Sequence, residues 1–352
     1  MTGLYIHIPF CERKCLYCDF ASYAGMYDTE DAYVEALLFE MRRYWGTTVD
    51  SVYIGGGTPS SLSETSIDRI LNGIHRIFHF AVGTEFTVEV NPASSLRAKL
   101  LALKNGGVNR LSIGMQSLVD AELIALGRLH DRKEALRALL LAKEVGFQNL
   151  NVDLMLAIPG QTIQSIDQTL TDLYSFSPDH ISAYSLIIEP DTPFATMKLQ
   201  LPTESEERDI YWHVAHSLEA NGYHHYEISN FSKPGQEARH NLKYWSGDDY
   251  IGIGAGAHSF QNAVRFSHTT DIKHYIASPL SRENYEYISA EERQKEYFLL
   301  GLRKREGIQY HGEFPDIINR HIKNGLLETT NSNLRLTDRG IDLANQVWMD
   351  FV

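Results

Sequence analysis

The sequence predicts an α/β fold built on a parallel sheet, and three observations carry that prediction. Short β-rich runs alternate with helical segments six times between Leu4 and Ile187. The helical segments repeat apolar residues every three or four positions, as helices that cover a sheet do. Small, polar and sulfur-bearing residues gather where the strands end, which is where ligands sit both at the rim of a βα barrel and in the crevice of an open parallel sheet. Strand-end placement alone leaves those two architectures open.

Leu4 to Ile8 is the first strand, ended by Pro9, which has no N–H to give a sheet. Cys11, Cys15 and Cys18 follow immediately. Asp28 to Tyr44 reads as a helix with Asp28 or Thr29 as its cap. The strand Ser51 to Ile54 runs into Gly55-Gly56-Gly57-Thr58-Pro59-Ser60, a turn whose backbone can approach a ligand and offer free amides. No Gly-Lys-Ser/Thr follows, so it is not a nucleotide P-loop. The pattern continues with helix Ser63 to Phe78, strand Glu85 to Val90, helix Ser95 to Lys104, strand Arg110 to Gly114, helix Arg132 to Val145, strand Leu150 to Met155, helix Ile163 to Phe176 and strand Ile181 to Ile187. Glu89, Gln116 and Asp153 fall within or just beyond their strands, on the same side as the cysteines and glycines.

After a helix from Glu204 to Ala220 the composition changes. Residues 223 to 260 are crowded with aromatics, histidines and glycines and read as a loop-rich cover, which includes His240-Asn241-Leu242-Lys243-Tyr244-Trp245. The C-terminal stretch reads as helices Glu291 to Leu302 and Phe314 to Asn324, a hairpin around Asn331-Ser332-Asn333, and a helix Asp338 to Val347, resembling a small winged-helix-like module. The expected units are residues 1-225, 226-285 and 286-352.

At 352 residues the chain exceeds one ordinary domain of ~100–200 residues. Its net charge is −13 with both signs interspersed, so no nucleic-acid partner is expected, and membrane contact only through partner proteins. Met1-Thr2-Gly3-Leu4 lacks the basic start of a secretory signal, and no apolar run reaches the ~20 residues of a membrane span, so a cytoplasmic protein is expected.

The only three cysteines lie within residues 11–18, which argues against a disulfide framework. Three thiolates on one loop suit zinc, with His7 or a distant residue as fourth ligand, or an iron–sulfur cluster with one iron left open.

Together the C-x3-C-x2-C of Cys11, Cys15 and Cys18 and the Gly55-Gly56-Gly57-Thr58-Pro59 turn resemble the radical S-adenosylmethionine superfamily, in the branch of the anaerobic coproporphyrinogen III oxidases and close to the HemW-type haem chaperones. The resemblance implies a partial (β/α)6, TIM-like barrel with a smaller C-terminal α+β domain. It implies that Cys11, Cys15 and Cys18 hold a [4Fe-4S] cluster whose fourth iron is chelated by S-adenosylmethionine, which an electron then splits to methionine and a 5′-deoxyadenosyl radical. Tyr5, Gly56, Gly57, Thr58 and Glu89 match cofactor contacts, and Gln116, Arg128 and Asp153 match positions that bind a second S-adenosylmethionine in the related oxidase. Tyr17, Ile187 and His258 match further contacts there.

The oxidases carry C-x3-C-x2-C-x-C, but here Phe20 stands in the last position and supplies no thiol. The stretch from His240 to Trp245 matches the H-N-x-x-Y-W of the haem chaperones, which implies His240 as axial ligand, Lys243 beside a propionate, and Tyr244 and Trp245 over the macrocycle. The function implied is haem binding and delivery to an acceptor protein, served by an electron donor. The alternatives are oxidative decarboxylation of coproporphyrinogen III or radical methyl transfer.

Overall fold

The computed structural model describes residues 1–92, 97–330 and 332–352. Six strands, β1 (Thr2–Ile8), β2 (Thr48–Gly56), β3 (His79–Val90), β4 (Arg110–Gln116), β5 (Asn149–Leu156) and β6 (His180–Ser185), pair in parallel and in chain order. No reversal of order interrupts them, so this part of the sheet winds in one direction. Right-handed crossovers then place the helices on one face. This is the singly wound arrangement of a barrel and not a doubly wound sheet, and it stays open because β1 and β6 do not pair with each other.

The helices are α1 (Glu30–Met41), α2 (Glu64–Ile77), α3 (Arg97–Asn105), α4 (Asp120–Ala125), α5 (Arg132–Val145) and α6 (Ile163–Phe176), followed after β6 by α7 (Glu204–Ala220). Neighbours pack side by side, α1 on α2, α2 on α3, α3 on α5 and α6 on α7. Their starts are written locally. Asp131 with Glu134 and Thr203 with Glu206 form capping boxes, and Gly146 closes α5 at φ 98°. The start of the helix expected from Ser95 lies outside the described residues.

Two local expectations change, and one short helix was not expected. Tyr27–Thr29 form a 3-10 turn, and the Thr29 hydroxyl donates to the Met26 carbonyl instead of capping α1. Strand β6 ends at Ser185, two residues before Ile187. The short helix α4 has too few turns to display a period.

The stretch read as a loop-rich cover is largely strand and helix. It forms β7 (His224–Glu227), β8 (Asn230–Ser232), α8 (Arg239–Ser246), β9 (Tyr250–Ile253), β10 (His258–Gln261), β11 (Val264–Ser267), α9 (Ile272–Ala277) and β12 (Glu283–Tyr287). β9 adds in parallel to β1, and β10, β11 and β12 follow antiparallel; at the far edge β8 and β7 add antiparallel to β6. Among the described residues the sheet therefore has twelve strands in the order β12-β11-β10-β9-β1-β2-β3-β4-β5-β6-β8-β7. Strands of three to five residues are stabilised by the edge that they join, which a local period does not report.

The C-terminal unit has helices α10 (Ala290–Gly301) and α11 (Pro315–Lys323) and a small antiparallel sheet of β13 (Ile308–Gln309), β14 (Leu327–Thr330) and β15 (Asn333–Leu336). Its core of Phe298, Leu302, Ile318, Leu334, Val347 and Phe351 is separate from that of the barrel. The single helix expected from Asp338 breaks at Leu343 into α12 (Asp338–Asp342) and α13 (Ala344–Trp348). In the hairpin turn Ser332 takes φ 72°, and Asn331 lies outside the described residues. Among the described residues no helix is long and apolar enough to cross a membrane.

Candidate functional site

The cysteine loop leaves β1 through Pro9 and is closed at its base by Phe10–Cys11 pairing in parallel with Tyr23–Ala24. Its far side is tied down as well: the Leu16 amide donates to the Leu126 carbonyl, and Arg13 donates to the carbonyls of Gly127 and Arg128 at 2.7 and 2.8 Å. Each sulfur meets a different polar group. Thr58 Oγ1 lies 3.5 Å from Cys11 Sγ, Arg128 Nη1 donates to Cys15 Sγ at 3.3 Å, and Ser22 Oγ lies 3.9 Å from Cys18 Sγ. Burial pushes the Cys11 and Cys18 thiols above their ordinary value.

The glycines at the end of β2 are each required for a different reason. A Cβ on Gly55 would stand 2.6 Å from Glu89 Oε1. Gly56 takes φ +107°, and a Cβ there would meet the His7 ring at 2.3 Å. A Cβ on Gly57 would lie 2.7 Å from the Phe10 carbonyl oxygen. The amides of this turn are committed and not free as expected: Gly56 donates to Glu89, Gly57 to the Ile8 carbonyl and Thr58 to the Phe10 carbonyl. The turn therefore locks the cysteine loop onto the strand ends, and what it leaves toward the cavity is space.

The same cavity is lined by two carboxyls, Glu89 and Asp153, and by the Arg128 guanidinium that bonds Cys15. Glu89 accepts from Tyr53 Oη at 2.7 Å and from the Gly56 amide at 3.1 Å; burial, reinforced by Asp153, pushes its carboxyl up to about 7. Asp153 accepts from Asn151 at 2.7 Å and from Ser112, and burial raises it too. Arg128 also donates to the Gly114 carbonyl at 2.6 Å. Burial opposes its charge, but Tyr17 and Cys15 hold the guanidinium more firmly charged. Gln116 sits at a register shift at the end of β4 with φ 66°, and Tyr184 Oη donates to its side-chain oxygen at 3.1 Å. That irregularity aims a strand-end side chain at the site.

Cys11, Cys15, Cys18, Tyr17, Gly56, Gly57, Thr58, Glu89, Gln116, Arg128 and Asp153 all line one cavity of about 330 Å³. Tyr5 and His258 line a neighbouring groove, and Ile187 is 69% exposed and lines neither. The same cavity is lined by Tyr53, Arg110, Ser112, Asn151, Ser182 and Tyr184, which the sequence reading passed over. Tyr53 lies on β2; for the others the signal was present as polar side chains at every second position of β4, β5 and β6, the inward face of a barrel strand.

The residues expected around haem are held differently. His240 is 1% exposed, and both ring nitrogens are engaged, Nδ1 with Ser51 Oγ and Nε2 with Tyr244 Oη, each at 2.9 Å. Burial and the Lys243 charge push the imidazole down to about 3. Lys243 donates to the Met1 carbonyl and pairs with Asp50 at 2.9 Å. Trp245 lies under the Arg303 guanidinium, 4.3 Å from its ring centre. Of the four, only Tyr244 lines the groove.

The donor set fits an iron–sulfur cluster with an open iron. Three soft thiols share one cavity wall, and the cavity beyond them carries the polar groups that a zwitterionic ligand requires. The zinc alternative with His7 as fourth donor does not fit, because Tyr5 Oη bonds His7 Nδ1 at 2.9 Å and the Ala21 carbonyl bonds Nε2 at 2.8 Å. Among the described residues no three His, Cys, Asp or Glu side chains converge to hold a single metal ion.

The family model of the radical SAM superfamily matches residues 5–173. The chain is 37% identical to the heme chaperone HemW of Bacillus subtilis, covering 100% of this chain and 99% of that protein. It is 36% identical to the heme chaperone HemW of Escherichia coli over 93% of this chain and 90% of that one. Among solved structures, coproporphyrinogen III oxidase (HemN) of Escherichia coli, a radical SAM enzyme, superposes with a TM-score of 0.87 over 99% of this chain and 89% of that chain at 23% identity, a likeness of fold.

Proposed function

The chain belongs to the radical SAM superfamily and, within it, to the family of HemW heme chaperones, and from that premise we propose that it binds haem and hands it to an acceptor protein. The observation that carries this reading is the end-to-end match to proteins named heme chaperones. Phe20 supports it against porphyrinogen decarboxylation: where the oxidases have a fourth cysteine, this chain holds an apolar ring that is 60% exposed.

Cys11, Cys15 and Cys18 would hold a [4Fe-4S] cluster, which together with S-adenosylmethionine would supply one-electron cleavage of a sulfonium. The chain's own groups prepare the place. Arg128 donates to the Cys15 sulfur, and Thr58 Oγ1 lies against the Cys11 sulfur, so both sulfurs are oriented from the cavity side. Burial raises Glu89 to about 7, so a cation arriving beside it favours its carboxylate form, and Asp153, also raised by burial, is a second acidic group lining the same cavity. Tyr184 donates to the Gln116 side chain, and the pair fixes one wall of the cavity.

The test is a haem titration of the anaerobically reconstituted protein, followed by transfer to a haem-free acceptor. A saturable Soret band that moves to the acceptor, with no protoporphyrinogen formed from coproporphyrinogen III, is expected. No haem binding, or turnover to protoporphyrinogen, overturns the reading.

A further inference from the structure

Behind the cysteine loop lies a second hollow that the cluster site does not use. It is a groove of about 570 Å³, within the ~300–1,000 Å³ of small-molecule and cofactor sites. Lys14 and Phe20 line both it and the cluster cavity, so the loop that carries the thiols forms the shared wall. The remaining walls combine aromatic rings with small and polar residues, among them Asp19, Ser22 and Thr270. Tyr5, Tyr244 and Tyr250 line it, with Tyr244 and Tyr250 meeting edge to face at 4.7 Å between ring centres, and exposed Phe20 stands at its lip.

Three histidines stand in or beside this groove, and their commitments differ. Both ring nitrogens of His7 are bonded within the chain, and so are both of His240. His258 lines the groove and is exposed. Among the described residues nothing is hydrogen-bonded to its ring. Desolvation, with the charge of Arg265 nearby, lowers its basicity and keeps the imidazole neutral, the form that binds metal.

We propose that haem lies in this groove with His258 as its axial iron ligand, while His240 of the His-Asn-x-x-Tyr-Trp stretch acts through Tyr244 as a positioning residue; the proposal rests on the reading of the chain as haem-binding. Each part of the ligand has a counterpart. The flat apolar faces find tyrosine and phenylalanine rings, the iron finds an unbonded imidazole, and a propionate finds the Lys14 ammonium, whose other partner is the Phe20 carbonyl at 2.9 Å. His240 holds the Tyr244 hydroxyl at 2.9 Å and is itself anchored on Ser51, so the motif builds a wall of the groove from the core outward.

The experiment titrates haemin into the anaerobically reconstituted full-length protein and its His258→Ala and His240→Ala variants, reading the Soret band and the iron–imidazole signature by resonance Raman. Far-UV dichroism and iron content serve as controls for folding. His258→Ala is expected to lose the imidazole signature and to weaken binding by at least the ~10–100-fold that follows loss of a supporting partner in a metal site. Free imidazole is expected to restore the signature in that variant, which a merely structural role for His258 does not predict. His240→Ala is expected to keep the iron–imidazole bond.

An unchanged spectrum and affinity in His258→Ala overturns the site and leaves haem binding standing, as does loss of the imidazole signature in His240→Ala alone. A wild-type protein that binds no haemin overturns the underlying reading and the site with it.

Discussion

Glu89 gives the sharpest test of how the cavity is built. Its carboxyl titrates at about 7 in the folded protein against an ordinary value of 4.5, because burial, reinforced by Asp153, disfavours its charge more than Tyr53 and the Gly56 amide favour it. Between those two pH values the folded chain binds more protons than the unfolded one, so stability falls as pH rises. The stabilisation is present in full below the unfolded value and is lost as pH passes the folded one. At ~1.4 kcal/mol per pH unit the difference amounts to roughly 3 kcal/mol, and less if the cavity admits water. Glu89→Gln retains an acceptor for the Gly56 amide and removes the titration. In urea unfolding of the reduced, cluster-free proteins at pH 5 and pH 8, the variant is expected to gain roughly 2.5 kcal/mol on the wild type between the two conditions, most of the full difference. A gap between the two proteins that does not change with pH refutes the argument.

Gly57→Ala places a Cβ 2.7 and 2.8 Å from the Phe10 and Ile8 carbonyl oxygens, which are backbone atoms that cannot swing aside. An overpacking cost of ~1–3 kcal/mol and reduced iron loading are expected, and wild-type iron content at wild-type stability contradicts this. Asp50→Ala removes both the carboxylate charge and its acceptor oxygens, and leaves the Lys243 ammonium with the Met1 carbonyl as its remaining hydrogen-bond partner among the described residues. Urea unfolding is expected to show a loss of roughly 1.5–3 kcal/mol, and an unchanged midpoint rejects the pair as the anchor of α8.

The sequence made helices legible where their ends are written in side chains: α5, α6 and α7 occupy the residues that their periods marked, each opened by a capping box. The sequential order of the strands was not legible, because alternation of strands and helices fits singly and doubly wound sheets equally, and only pairing decides between them. The convergence of the thiols with Glu89, Gln116, Arg128 and Asp153 on one cavity followed from the strand ends. The commitment of the glycine amides did not, because it depends on how close the Ile8 and Phe10 carbonyls come from a loop elsewhere in the chain. His240 was read as an open imidazole for the same reason: its partner Ser51 lies on β2, and nothing local in the motif points to it. The polar inward face of β4 to β6 was available as a two-residue period and was overlooked because buried parallel strands are expected to be apolar on both faces.

The most direct measurement of the central claim is the iron, acid-labile sulfide and zinc content of the protein purified without oxygen, alongside its Cys15→Ala variant. The account predicts about four irons and matching sulfide in the wild type, with the cluster absorption lost in the variant. About one zinc without sulfide, or a full cluster that survives removal of Cys15, contradicts it.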